Sequence, residues 1–253
     1  MRRVRSLLPI LVKREIRTRY RTSLLDLAWA VITPVALLGV YGLILSKSFN
    51  VDSACGPYLS SAWAGLVLWT AFSTAVGGAV YSLVAASDLI TKVYFPLEAM
   101  PLSVAGASLL DLGVGLLSLL VLVMVQGVPL GAAALTMVLP IAVLVVWSAV
   151  MSVAVAVLAV FIRDTIHAVN LALRLGFFAT PVMYDASFLP PAFAWSASVN
   201  PVAAAIAGVR DALLCARAPN VGLLTVHLVV GLVAFVLAVR YVRSVESRIV
   251  DVV

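Results

Sequence analysis

Charge is scarce in this sequence: of 253 residues, 11% are charged and 64% are hydrophobic. An ordinary globular domain carries roughly 25% charged and 45–50% apolar residues. The deficit excludes a soluble fold, which would have to show that apolar surface to water. It also excludes disorder, which needs the reverse composition. The two histidines, His167 and His227, lie far apart with no cysteines or paired carboxylates beside them, which excludes a metal-ligand cluster. No Gly-x-x-x-x-Gly-Lys-Ser/Thr run occurs, so the chain does not cradle nucleotide phosphates itself. Nor do Asp, Glu, His or Ser side chains converge as a membrane enzyme would require. The expectation is an all-α integral membrane protein that is not an enzyme.

What the chain has instead is long uncharged runs. A hydrocarbon core of about 30 Å takes roughly 20 apolar residues as helix. On that measure the sequence predicts six spans, at about 25–46, 61–84, 101–125, 133–161, 167–184 and 220–242. Two of them share the uncharged run 112–162, which Gln126-Gly127-Val128-Pro129 interrupts with turn chemistry. Residues 186–209 are uncharged as well, but Pro190, Pro191 and Pro201 break them. The stretch 185–216 is therefore expected as short re-entrant helices on the outer side. Residues 85–99 form a cytoplasmic loop in this scheme, and 244–253 a cytoplasmic tail behind a transmembrane domain at 23–243.

Orientation follows from lysine and arginine. With both termini in the cytoplasm, all 17 Lys and Arg fall on the inner side except Lys47, Arg210 and Arg217. The net charge of +6 is then a consequence of topology, and no nucleic-acid partner is implied. After Met-Arg-Arg-Val-Arg the chain is basic and amphipathic instead of apolar, so no cleavable signal peptide is expected. Cys55 and Cys215 both fall on the outer side, either joined as a disulfide or as two unpaired residues.

Residues 1–22 read as an amphipathic interface helix. Val4, Leu8, Val12, Ile16 and Tyr20 line one face, while Lys13, Arg17 and Arg21, with Arg14 nearby, line another and Arg19 adds to the basic count. Such a helix lies in the inner-leaflet interface beside anionic lipid. It either anchors the topology or, running directly into Trp29, moves with the first span.

Four stretches, in order, resemble the permeases of type-two ABC exporters that move polysaccharides such as O-antigen or teichoic acid. They are Arg17-Thr18-Arg19-Tyr20-Arg21 with Trp29 and Pro34; Lys92-Val93-Tyr94-Phe95-Pro96-Leu97-Glu98; Arg163-Asp164 and His167 with Thr180-Pro181-Val182-Met183-Tyr184; and Asn200-Pro201 with Arg210. The chain departs from the pattern at Asp26, where glycine is common, and at Arg174, usually an uncharged site. The resemblance implies a homodimer docked on two ABC ATPase subunits in the bacterial cytoplasmic membrane. ATP and Mg would sit on the partner, with no cofactor in this chain, and the cargo would be a lipid-linked glycan. Rival readings are a same-family exporter of a drug, haem or other lipid, and an ion-coupled secondary transporter.

Within that frame, Tyr94 and Phe95 supply an aromatic anchor for the ATPase, Pro96 stops the helix, and Lys92 and Glu98 orient the contact. The alternative places both aromatics at the lipid interface. Asp111 and Arg174 are expected at similar depth, where a charge costs at least about 2.5 kcal/mol; either they pair, or Arg174 lines the conduit. Arg163, Asp164 and His167 mark the entry to the fifth span, either as a structural cap with Asp164 at the helix start or in contact with the N-terminal helix or the ATPase. Trp29, Tyr184, Asn200 and Arg210 complete the conduit or gate candidates. Gly77, Gly78, Gly106, Gly113 and Gly115 are expected where helices approach closely.

Overall fold

The computed structural model describes residues 2–20, 56–87, 95–185 and 194–252, with no strand among them. The expected first span, residues 25–46, lies outside the described residues, as do Arg21, Trp29, Cys55, Lys92 and Tyr94. In chain order the helices are α1 (Arg2–Tyr20), α2 (Tyr58–Ser82), α3 (Ala99–Val125), α4 (Val138–Phe161), α5 (Thr165–Ala179), α6 (Ala194–Val199), α7 (Pro201–Leu213), α8 (Val221–Ser244) and α9 (Glu246–Val252). A 3-10 segment, Ala132–Met137, leads directly into α4.

Four of these helices are long and apolar enough to cross a membrane: α2, α3, α4 with its 3-10 lead-in, and α8. The expected fifth span falls short. Helix α5 has 15 residues and so rises about 22 Å against a core of about 30 Å. It stops where Thr180 turns extended (ψ 138) and Pro181 follows. Within the expected tail, α9 is helical and its Ile249 is fully buried.

Helix α2 is the centre of the bundle. In its most apolar 18-residue stretch 72% of the residues are buried, against 17% for α8, which faces outward; α3 is buried mainly along its first half. Trp63, Leu66, Leu68 and Phe72 of α2 pack with Leu119 of α3, Leu144 of α4 and Ile206 of α7. A Cβ at Gly115 would sit 3.1 Å from Cγ2 of Val67, so a side chain there would hold α3 off α2. Gly113, expected to serve the same purpose, has no heavy atom within 4 Å of where its Cβ would be.

Local chemistry explains the element ends. Helix α3 closes on Gly127 (φ +69), whose N–H donates to Met124 O (3.1 Å) while Val128 N–H donates to Val123 O (3.1 Å). This is a Schellman cap with proline just beyond it, at the interruption read from the sequence. Asn200 caps α7 by accepting from Val202 N (2.9 Å) and Ala203 N (3.3 Å), with Pro201 at the first helical position. Asn220 caps α8 in the same way.

Helix α1 is docked on protein. Its apolar stripe, Leu7, Leu8, Leu11, Val12 and Ile16, is half-buried against α3 and neighbours, while Lys13, Arg14 and Arg17 are exposed. Val12 fills the space that a side chain at Gly106 would need.

Candidate functional site

The family-like residues gather at the two ends of the bundle. At one end, α5 and residues 180–184 run beside α2 from Tyr81, whose hydroxyl accepts from Asn170 Nδ2 (3.0 Å), down to Gly65. That path covers about 24 Å of α2. Residues 180–184 are not helical: Thr180 O accepts from Val182 N (2.6 Å), but the carbonyls of Pro181, Val182, Met183 and Tyr184 take no backbone partner within the segment. In lipid each such orphan is expensive.

Arg210 on α7 resolves this. Its Nε donates to Ser61 O (3.0 Å), Nη1 to Pro181 O (2.9 Å) and Tyr184 O (3.1 Å), and Nη2 to Val182 O (2.6 Å). Tyr58 Oη donates to the remaining Met183 O (3.0 Å). Asn200 Nδ2 donates to Thr180 Oγ1 (2.9 Å), and Tyr184 Oη donates back to Phe178 O (2.8 Å) at the end of α5. A guanidinium with five donors in a planar fork suits this task, and it has no acceptor that would go unmet.

Three separate motif fragments, Thr180–Tyr184, Asn200-Pro201 and Arg210, are thereby one bracket. Arg210, expected as a conduit or gate residue, thus has a structural role: it is 8% exposed and its bonds go to backbone oxygens, while it also lines the adjoining cavity. Asn200 and Tyr184 likewise serve the bracket through their hydrogen bonds. Gly65, Ser61 and Tyr58 escaped sequence reading. A Cβ at Gly65 would fall on the Val182 carbonyl oxygen and 2.9 Å from Arg210 Nη2. The signal that would have found it is a glycine near the start of a span, one helical turn from Ser61. The bracket itself walls a cavity of about 160 Å³, where Ser61, Pro181 and Arg210 meet Asp185, Asp211 and Arg217, with Asp211 bound to Arg217 at 2.7 Å. Cys215, which lines it too, is disulfide-bonded, while Cys55 lies outside the described residues.

The opposite end holds the expected coupling residues. Phe95 is 9% exposed and packs with Leu83, Leu97, Val157, Val242 and Ile249. It does not project as an aromatic anchor, because the end of α2, α4, α8 and α9 enclose it. Pro96 is half-buried. Glu98 is 3% exposed, and its Oε1 accepts from Arg243 Nε (2.9 Å) and Nη2 (2.6 Å). Glu98 therefore faces the last long helix and does not present a surface charge.

Asp111 and Arg174 do not pair. Asp111 Oδ2 accepts from Arg19 Nη1 at 3.1 Å, and Arg19 also approaches Glu15 at 3.8 Å. Helix α5 packs on α2 and not along α3, so Arg174 lies on α5's outward face with Leu171, Leu175 and Phe178. Depth along the bundle was similar for the two charges, but their directions around it differ. Arg163, Asp164 and His167 are exposed at the α4–α5 turn. Asp164 occupies the cap position without a side-chain capping bond, and buried Thr165 fastens the turn through Oγ1 to Leu158 O (3.4 Å). Tyr20 ends α1.

The bundle is thus an integral membrane protein with a buried arginine bracket at one end and, at the other, an ion pair whose carboxylate is buried. The model of the ABC-2 type transporter family matches residues 6–214, and the chain belongs to that family. Among curated relatives, the O-antigen export system permease protein RfbA of Myxococcus xanthus is 35% identical over 186 residues, covering 72% of this chain and 70% of the relative. A protein of the same name from Klebsiella pneumoniae is 26% identical over 209 residues, covering 81% and 79%.

Proposed function

We propose that this chain is the permease subunit of an ATP-driven exporter of a lipid-linked polysaccharide, of the O-antigen, teichoic acid or related envelope type. Two copies form the passage and two ABC ATPase subunits drive it, with both termini in the cytoplasm of a bacterium. Family membership over residues 6–214 supports the ATPase partner. The observation that carries the cargo assignment is the name shared by relatives that match this chain over most of their own length.

The geometry suits such a machine. The Phe95 end would face the cytoplasm, where residues 85–99 receive the ATPase, ATP and Mg being bound by that partner. The exposed Lys13, Arg14 and Arg17 of α1 would meet anionic lipid. The Arg210 end would face outward, with α6, α7 and the 180–184 bend as re-entrant elements that keep non-helical backbone satisfied at depth. Six spans per copy require residues 25–46 and the α5 path to cross together with the four long helices.

The test is reconstitution. A P-loop ATPase should co-purify with this chain and depend on it for cargo-stimulated hydrolysis, and vesicles holding both should move a lipid-linked glycan only with ATP. Glycan movement by this chain alone, driven by an ion gradient, refutes the proposal.

A further inference from the structure

We infer that Arg243 is a positioning residue for energy coupling: by gripping Glu98 it ties the loop that meets the ATPase to the last long helix and the C-terminal helix. The inference rests on the exporter reading above and adds to it a route for the force.

Arg243 lies in the last turn of α8, 145 residues from Glu98, and sequence reading gave it only a topological charge. Its Nε and Nη2 converge on one oxygen of a carboxylate that is 3% exposed, whereas the arginine side chain itself is 41% exposed. An ion pair of this kind contributes little to stability, because desolvating the carboxylate offsets the attraction. What it supplies is direction, since a forked guanidinium fixes the carboxylate in one place. Glu98 immediately precedes α3, and Val245 and Ile249 carry the packing on from α8 into α9. Phe95 and Leu97 enter the same cluster, as do Leu7 and Leu11 of α1. A displacement of residues 95–98 therefore has two exits: along α3 through the chain, and into α8 and α9 through the ion pair.

The test compares breaking the pair with replacing it. Glu98→Gln and Arg243→Met each leave one partner behind, and either variant is free to misfold. The double variant Glu98→Leu/Arg243→Met substitutes apolar groups of similar size, a change that is commonly tolerated or stabilising. In vesicles holding permease and ATPase, the double variant is expected to export at least about fivefold less glycan per ATP hydrolysed, the lower end of a typical coupling between sites. Wild-type stoichiometry in a folded double variant overturns the inference. A second arm uses the permease alone in detergent. Hydrogen exchange in the double variant should rise in Glu246–Val252 as well as at residues 97–102; a rise in only one of the two segments, or in neither, also overturns it. If no ATPase joins the wild-type chain, the exporter reading fails while this second arm still judges the joint.

Discussion

Replacing Gly65 by alanine should damage the protein more than the same change at any other glycine among the described residues. At Gly65 the new carbon would fall on the Val182 carbonyl oxygen and stand 2.8 Å from its carbon. Helix α2 and the 180–184 bend must then separate, and the Arg210–Val182 bond at 2.6 Å is the first to be lost. Overpacking of this kind costs about 1–3 kcal/mol, and loss of a hydrogen bond to a charged group about 1.5–3 kcal/mol. Alanine returns about 1 kcal/mol through helix propensity. The balance is a loss of about 1.5–5 kcal/mol. Gly113 is the internal control, since nothing lies within 4 Å of its Cβ position. Gly113→Ala should be neutral or stabilise by up to about 1 kcal/mol. Thermal unfolding of the two variants in one detergent reads the difference directly. A Gly65→Ala protein that melts at or above the Gly113→Ala protein refutes the bracket geometry.

Arg210→Lys keeps the charge but offers three donors on a point, so it cannot reach the carbonyls of Ser61, Pro181, Val182 and Tyr184 together; a loss of about 2–3 kcal/mol in thermal unfolding is expected, and an unchanged melting temperature would show that charge alone matters. In a double-mutant cycle Asp111 should couple to Arg19 by up to about 1 kcal/mol, as suits a partly exposed pair, while Arg174 shows no coupling; the opposite ranking would restore the pairing first read from the sequence. Because Cys215 is disulfide-bonded, reductant should lower stability by about 2–4 kcal/mol, and identical melting with and without it would count against the bond.

The long helices were legible because apolar length is written directly in the chain, and so was the Gly127 turn, whose residues admit little else. Motif order also pointed to Thr180–Tyr184, Asn200 and Arg210. What sequence reading could not supply was direction around each helix. Rise per residue places Asp111 and Arg174 at similar depths, but only packing reveals that α5 turns its arginine outward while Arg19 arrives from α1. Burial was hidden for a related reason. An aromatic and a carboxylate in a loop look like surface contacts until Val242, Arg243 and Ile249, from the far end of the chain, close over Phe95 and Glu98. Gly65 was overlooked because a lone glycine in a span gives no sign of what presses on it.

The bracket also constrains how the chain is made. Helices α2 to α5 and the bend at 180–184 are synthesised before α7, so the carbonyls of Pro181, Val182 and Tyr184 exist for a time without the guanidinium that later satisfies them. Until Arg210 arrives, that end must stay where water can reach it. Final insertion of the bend into a dry setting is thereby coupled to synthesis of the chain's last third, and a product truncated ahead of α7 would carry a permanent polar wound.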